Sequence, residues 1–210
     1  MALVDAEYRF LYVDVGCNGK VNDAEVFAAT TLYDHLERRS AVFPEPEPLP
    51  GDDRPVSYFV VADEAFGLRE NVMKPFPYKD LQKEHRIYNY RLSRARRCVE
   101  NAFGILANRW RLFLTAIPLQ PDKVETLVMA GVALHNMLRT EIGFPHALHD
   151  TEDVTTHELT ERLWRTDSVL SRAQIPAGTN VTNRAKTQRN YLVDYFNSET
   201  GSIPWQDSMI

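Results

Sequence analysis

Tyr58-Phe59-Val60-Val61-Ala62-Asp63 is an apolar run that ends on a carboxylate. A second carboxylate, Glu100, lies in the arginine-rich stretch Arg91-Leu92-Ser93-Arg94-Ala95-Arg96-Arg97-Cys98-Val99-Glu100-Asn101-Ala102-Phe103-Gly104. Residues 64 to 99, 36 in all, separate the two. Ser57 to Ala62 is apolar on consecutive positions, which predicts a central strand buried on both faces. Ser93 to Phe113 carries Val99, Phe103, Leu106, Trp110 and Phe113 at steps of four and three, the spacing of one helix face. Glu100 is one residue, about 100°, from that stripe and so is expected at its edge. An Asp closing a buried strand and a Glu on a following helix can converge on one cleft. Their oxygens suit Mg²⁺ or Mn²⁺. The bland readings stand beside this one: Asp63 as a turn or cap residue, and Glu100 as a helix-surface partner of Arg96 and Arg97.

Outward from that pair, the chain alternates short strands and helices. Ala2-Leu3-Val4, a turn over Asp5 to Glu7, and Phe10 to Val15 predict an antiparallel hairpin. Strict alternation puts Leu11, Val13 and Val15 on one face and Phe10, Tyr12 and Asp14 on the other. Gly16 to Gly19 breaks the strand. Asn22 followed by Glu25 has the form of a capping box, opening a helix through Phe27, Leu32 and Leu36. Residues 41 to 56 hold five prolines and are expected as a surface loop. Residues 64 to 92 are expected to be irregular, with Pro75 and Pro77 as blocks. A second long helix starts at Pro121 and runs through Val124, Leu127, Val128, Gly131, Leu134 and Leu138. Loops with a short helix near 157 to 164 follow, then a helix over 182 to 197 and a short extension at Gly201 to Trp205. There is no internal repeat.

A chain of 210 residues that is 44% hydrophobic fits one domain with a real core. No apolar run approaches the roughly 20 residues of a membrane span, and the start does not have the form of a signal peptide. Cys17 and Cys98 make neither a disulfide framework nor a zinc set, so a reducing intracellular compartment is expected and the sequon at Asn180 carries little weight. Net charge is −5, against a general nucleic-acid binder. Yet Lys83 to Arg111 holds eight Lys/Arg and two acids, +6, which leaves −11 for the rest. Such a stripe can hold phosphates or be a solvated helix face. Arg94 and Arg97 can meet DNA phosphates or balance carboxylates. Tyr88, Tyr90 and Trp110 can stack on bases or pack in the core, His135 is expected as a satisfied core histidine, and His146, His149 and Asp150 have loose metal-like spacing.

The segments Val61-Ala62-Asp63-Glu64-Ala65-Phe66, Asn89-Tyr90-Arg91-Leu92-Ser93-Arg94-Ala95-Arg96 and Val99-Glu100-Asn101-Ala102-Phe103-Gly104, with Arg109-Trp110-Arg111, resemble Harbinger-type DDE transposases and the nucleases derived from them. Val13-Asp14-Val15-Gly16 through Gly19 to Phe27 is similar to the family's Gly-Ser-x-His-Asp segment. Ala133-Leu134-His135-Asn136 and Ile203-Pro204-Trp205-Gln206 fit as well. The resemblance covers about residues 1 to 140 and the last few. It implies an α/β, RNase H-like fold, a mixed sheet flanked by helices, in which three acidic residues hold two divalent metals. Water or a DNA 3′-hydroxyl then attacks phosphorus. Asp63 matches the family's second Asp and Glu100 its Glu, both as catalytic and metal-binding residues. The first Asp sits on a strand ahead of the hairpin, so no residue here matches it. Asp5, Asp14 and Asp23 align with other positions, and no helix-turn-helix precedes the hairpin.

The resemblance therefore implies a partial domain, lacking its first strand, over 1–142; the patterning adds a loop-rich segment over 143–181 and a C-terminal helix and extension over 182–210. Two Mg²⁺ ions roughly 4 Å apart repel by about 17 kcal/mol at an effective dielectric of about 20, and the unmatched Asp is the bridging ligand that offsets this. Strand cutting by this chain alone is thus expected to be inefficient. A catalytically inactive remnant that binds DNA or protein, and an incomplete transposon copy, stay open. Relatives imply a nuclear location and a Myb-like DNA-binding partner.

Overall fold

The structure is a computed structural model that describes residues 1–17, 21, 23–37, 43–142, 151–152, 159–160 and 181–210. The architecture is mixed α/β, helices with small two-stranded sheets. The chain divides into two compact units, Met1–Val21 with Arg97–Arg172, and Asn22–Arg96 with Ala173–Ile210. No helix among the described residues is long and apolar enough to cross a membrane.

In the first unit, β1 (Ala2–Val4) pairs antiparallel with β2 (Phe10–Val13) as the hairpin predicts. The side-chain alternation does not hold. Val4 pairs with Phe10 and Leu3 with Tyr12, so Leu11 is an extra residue, a β-bulge. A bulge inserts one position and resets which side chains face the core. Phe10 is accordingly buried, Val13 packs beside it, and Leu11 is 63% exposed. The turn is fastened by Asp5, whose Oδ1 accepts from the amides of Glu7 (3.0 Å) and Arg9 (2.8 Å). Phe10, Ala102, Leu106 and Val132 make the core of this unit.

Ala102 and Leu106 come from α3 (Lys83–Arg109) and Val132 from α4 (Pro121–Ile142). The start of α4 at Pro121 is as expected. Its His135, Asn136 and Arg139 hold the hairpin. His135 Nε2 is 2.7 Å from Tyr8 O, Asn136 accepts from Phe10 N (2.9 Å) and donates to Phe10 O (2.8 Å), and Arg139 donates to Glu7 O (2.6 Å). β7 (Thr151–Glu152) pairs with β8 (Leu159–Thr160), so Leu159 and Thr160 are strand where a short helix was expected.

In the second unit, α1 (Asp23–Ala28) and α2 (Thr31–Glu37) replace the single expected helix. Buried Thr30 makes the break: its hydroxyl donates to Phe27 O and accepts from Tyr33 N, closing one helix and opening the next. Phe27, Leu32 and Leu36 are buried as expected, while Asn22 lies outside the described residues. The proline-rich segment holds a two-residue ladder, β3 (Glu47–Pro48) with β4 (Pro55–Val56). The strand expected over Ser57 to Ala62 is shorter and less buried: β5 (Val60–Val61), partly buried, pairs parallel with β6 (Val72–Met73), which is fully buried.

Helix α3 begins ten residues before the expected Ser93, and Asn89 explains why prolines 75 and 77 do not prevent it. The Asn89 side chain accepts from Phe76 N (2.8 Å) and donates to Phe76 O (2.9 Å), tying the proline segment to the helix. The buried face of α3 also differs. Ile87, Tyr88, Leu92, Ala102, Ile105 and Leu106 are buried, while Phe103, placed on the expected stripe, is 44% exposed. Small Ala102 and polar Asn101 are buried, and the partly exposed Phe103 ring meets Phe10 edge-on at 5.3 Å. α5 (Asn183–Asn197) sends Ala185, Tyr191, Leu192 and Val193 into a core with Val56, Leu68, Met73, Tyr88 and Leu92.

Candidate functional site

Asp63 lies two residues past the end of β5, after Ala62, whose N donates to Met73 O (2.9 Å) and extends the parallel pair. Its Oδ1 accepts from Ala65 N (2.8 Å), and its carbonyl accepts from Phe66 N (3.3 Å). This is an Asx turn, so the turn role considered for Asp63 is real. It uses one carboxylate oxygen. The other, Oδ2, lies 3.9 Å from Arg96 Nη2, with both side chains partly exposed.

Lys74, which the sequence reading did not single out, directly follows β6. Its ammonium donates to Glu64 O (2.8 Å) and Phe66 O (2.6 Å), two carbonyls of the Asp63 turn. Burial lowers its pKa, Glu64 and Asp63 oppose the fall, and Arg189 adds to it. The signal in the sequence was a lysine directly after an apolar pair, in a segment set aside as irregular.

Glu100 lies in the C-terminal half of α3, partly buried, and belongs to the first unit, whereas Asp63 and Arg96 belong to the second. The Cys98 thiol pKa is pushed up by burial and pulled back by Arg97. Arg97 also lowers that of Tyr8, raised overall by burial.

The other cations of the stripe meet the C-terminal extension. Arg94 places its guanidinium 5.3 Å from the Trp205 ring centre. Arg91 donates to Gly201 O (2.9 Å) and Gln206 Oε1 (3.3 Å) and lies over Phe196. Lys83 pairs with Asp207 at 3.0 Å. Of the aromatics, Tyr88 is fully buried and Trp110 packs against the first unit's core, while Tyr90 is partly buried. The 0% exposed His135 is a core histidine as expected, with one difference: its Nδ1 has no hydrogen-bond partner among the described residues. His146, His149 and Asp150 lie outside the described residues.

Asp63 and Glu100 offer the hard oxygen donors that Mg²⁺ and Mn²⁺ prefer. Among the described residues, however, no three His, Cys, Asp or Glu side chains are grouped to hold a metal ion. The donors match such a cation in kind and fall short in number.

Comparison with known proteins gives the family. A family model described as DDE superfamily endonuclease matches residues 1–136. The chain is 27% identical over 139 residues to a protein of Arabidopsis thaliana named Protein ALP1-like, an alignment covering 65% of this chain and 34% of that protein. The chain thus spans about a third of the length of this curated relative. No solved structure matches it.

Proposed function

This chain belongs to the DDE superfamily endonucleases, and on that premise we propose that it is a transposase-derived nuclease domain of the Harbinger type, RNase H-like in plan, acting on DNA phosphodiesters. Asp63 and Glu100 are the residues we assign as ligands of Mg²⁺ or Mn²⁺, which when bound supplies Lewis acidity at phosphorus. The observation that carries this reading is the state of Asp63: one oxygen spent on Ala65 N, the other directed at a cation, Arg96. Arg94 and Arg97 are assigned to phosphate contacts, and a nuclear location with a Myb-like DNA-binding partner is part of the same proposal, on the resemblance to the family alone.

Plasmid cleavage in Mg²⁺ or Mn²⁺ tests the assignment. Asp63→Ala and Glu100→Ala are each expected to lower the rate on the order of a hundredfold or more, since even outer-shell changes at metal sites cost roughly 10–100-fold. Cleavage that survives both substitutions removes these residues from the mechanism. The shortfall of grouped donors among the described residues favours a second reading, a DNA- or protein-binding module without cleavage. Salt-sensitive DNA binding with no metal-dependent cutting would select it.

A further inference from the structure

Four hydrogen bonds converge on residues 63 to 66. Two are local: Ala65 N to Asp63 Oδ1 at 2.8 Å and Phe66 N to Asp63 O at 3.3 Å. Two come from Lys74, whose ammonium donates to Glu64 O and Phe66 O at 2.8 and 2.6 Å. Carbonyls two residues apart reach one ammonium only when the chain between them is curled. The parallel pairing of β5 and β6 delivers that ammonium, because Val61 lies opposite Met73 and Ala62 N bonds to Met73 O.

Resting on the nuclease reading above, we propose that Lys74 is a positioning residue for Asp63, clamping the turn from outside so that Oδ2 is presented in one fixed direction. The division of labour with Arg96 supports this. Arg96 Nη2 lies 3.9 Å from Asp63 Oδ2, a distance a bound cation's ligand shell can take over, whereas the two Lys74 hydrogen bonds go to backbone carbonyls and not to the carboxylate. Among the described residues the turn without Lys74 keeps its two local bonds, which leaves the Asp63 side chain less tightly held in one rotamer. A ligating carboxylate that is not held by its surroundings binds a cation more weakly.

The experiment uses the full chain as wild type, Lys74→Met, Lys74→Gln, Lys74→Arg and Asp63→Asn. Exchange of the Ala65 amide is followed by NMR and Mn²⁺ binding by electron paramagnetic resonance of the free ion, with melting temperature recorded alongside. Lys74→Met is expected to speed Ala65 exchange at least about tenfold and to weaken Mn²⁺ binding by roughly 10-fold at an unchanged melting temperature. Arginine, which can span both carbonyls, is expected to restore both. Lys74→Gln, which can donate to one carbonyl, takes the place of Lys74→Met if that variant does not fold. Wild-type Ala65 exchange in the lysine variants overturns the proposal whatever the metal does. Weakened Mn²⁺ binding in Asp63→Asn but not in the lysine variants also overturns it and leaves the nuclease reading standing. Undiminished Mn²⁺ binding in Asp63→Asn overturns the nuclease reading, and with it the positioning role.

Discussion

Asn89 and Asn136 use their carboxamides as a strand uses a neighbouring peptide: each accepts from one backbone N–H and donates to the C=O of the same residue. Between them they fix the segment leading into α3 and the hairpin beside α4. His135, next to Asn136, adds a titratable group. Tyr8 O can only accept, so Nε2 carries the proton and the neutral ring is left with a buried, unprotonated Nδ1. Burial depresses the pKa below 6.5; the Tyr8 carbonyl opposes that shift, and Arg109 and Arg139 reinforce it. A depressed folded-state pKa means that the unfolded chain binds the proton more readily. Stability is therefore full above about pH 6.5 and is lost as pH falls through the lower folded value. Urea unfolding at pH 7 and pH 5 is expected to show this loss in wild type and a smaller one in His135→Gln. Equal losses would assign the pH dependence to other groups.

At the scale of elements, boundaries are set by side chains that bond to the backbone. Thr30 separates α1 from α2, and Thr182 caps α5 by accepting from Ala185 N. The β3–β4 connection carries a Pro50-Gly51 pair in which Asp52 N donates to Leu49 O (3.0 Å) and Gly51 has φ +73°. This is the type II turn, whose third position needs φ above zero. A Cβ at Gly51 would also meet Thr200 Cγ2 at 2.3 Å. Gly51→Ala is expected to destabilise the protein by about 1–2 kcal/mol from the left-handed backbone alone, seen as a lower urea midpoint. Restoring the midpoint with Thr200→Ser in the same chain would trace the cost to the methyl contact instead.

For the whole molecule, the basic stripe is the feature that links charge to function. Three of its N-terminal members are already engaged: Lys83 with Asp207, Arg91 with Gln206 and Gly201, Arg94 with Trp205. A nucleic acid reaching Arg94 must therefore compete with an indole ring, a contact worth about 0.5–1 kcal/mol at exposed sites. Each arginine that meets a phosphate is expected to contribute about 0.9 to the slope of log affinity against log salt. Arg97→Gln and Arg94→Gln should each reduce that slope by about this amount in fluorescence-anisotropy titrations with duplex DNA. A slope that does not move takes the arginine out of the proposed DNA face.

Local pattern reaches as far as local causes do. The hairpin, the helix from Pro121, the helix over 182 to 197 and the carboxylate at the end of the Val60-Val61 strand were all legible, because proline, caps and apolar periodicity act within a few residues. The residues that resemble the DDE nucleases were legible for the same reason, being contiguous. Burial and bonding partners were not. The bulge at Leu11, the rotated face of α3, the Thr30 break and the long-range bonds of Lys74, Asn89 and Asn136 depend on which distant backbone groups need a partner. A buried donor or acceptor costs about 1–3 kcal/mol when left unmet, so the fold recruits polar side chains from wherever the packing brings them. That demand has no period along the chain, and the packed molecule was needed to show which residues answer it.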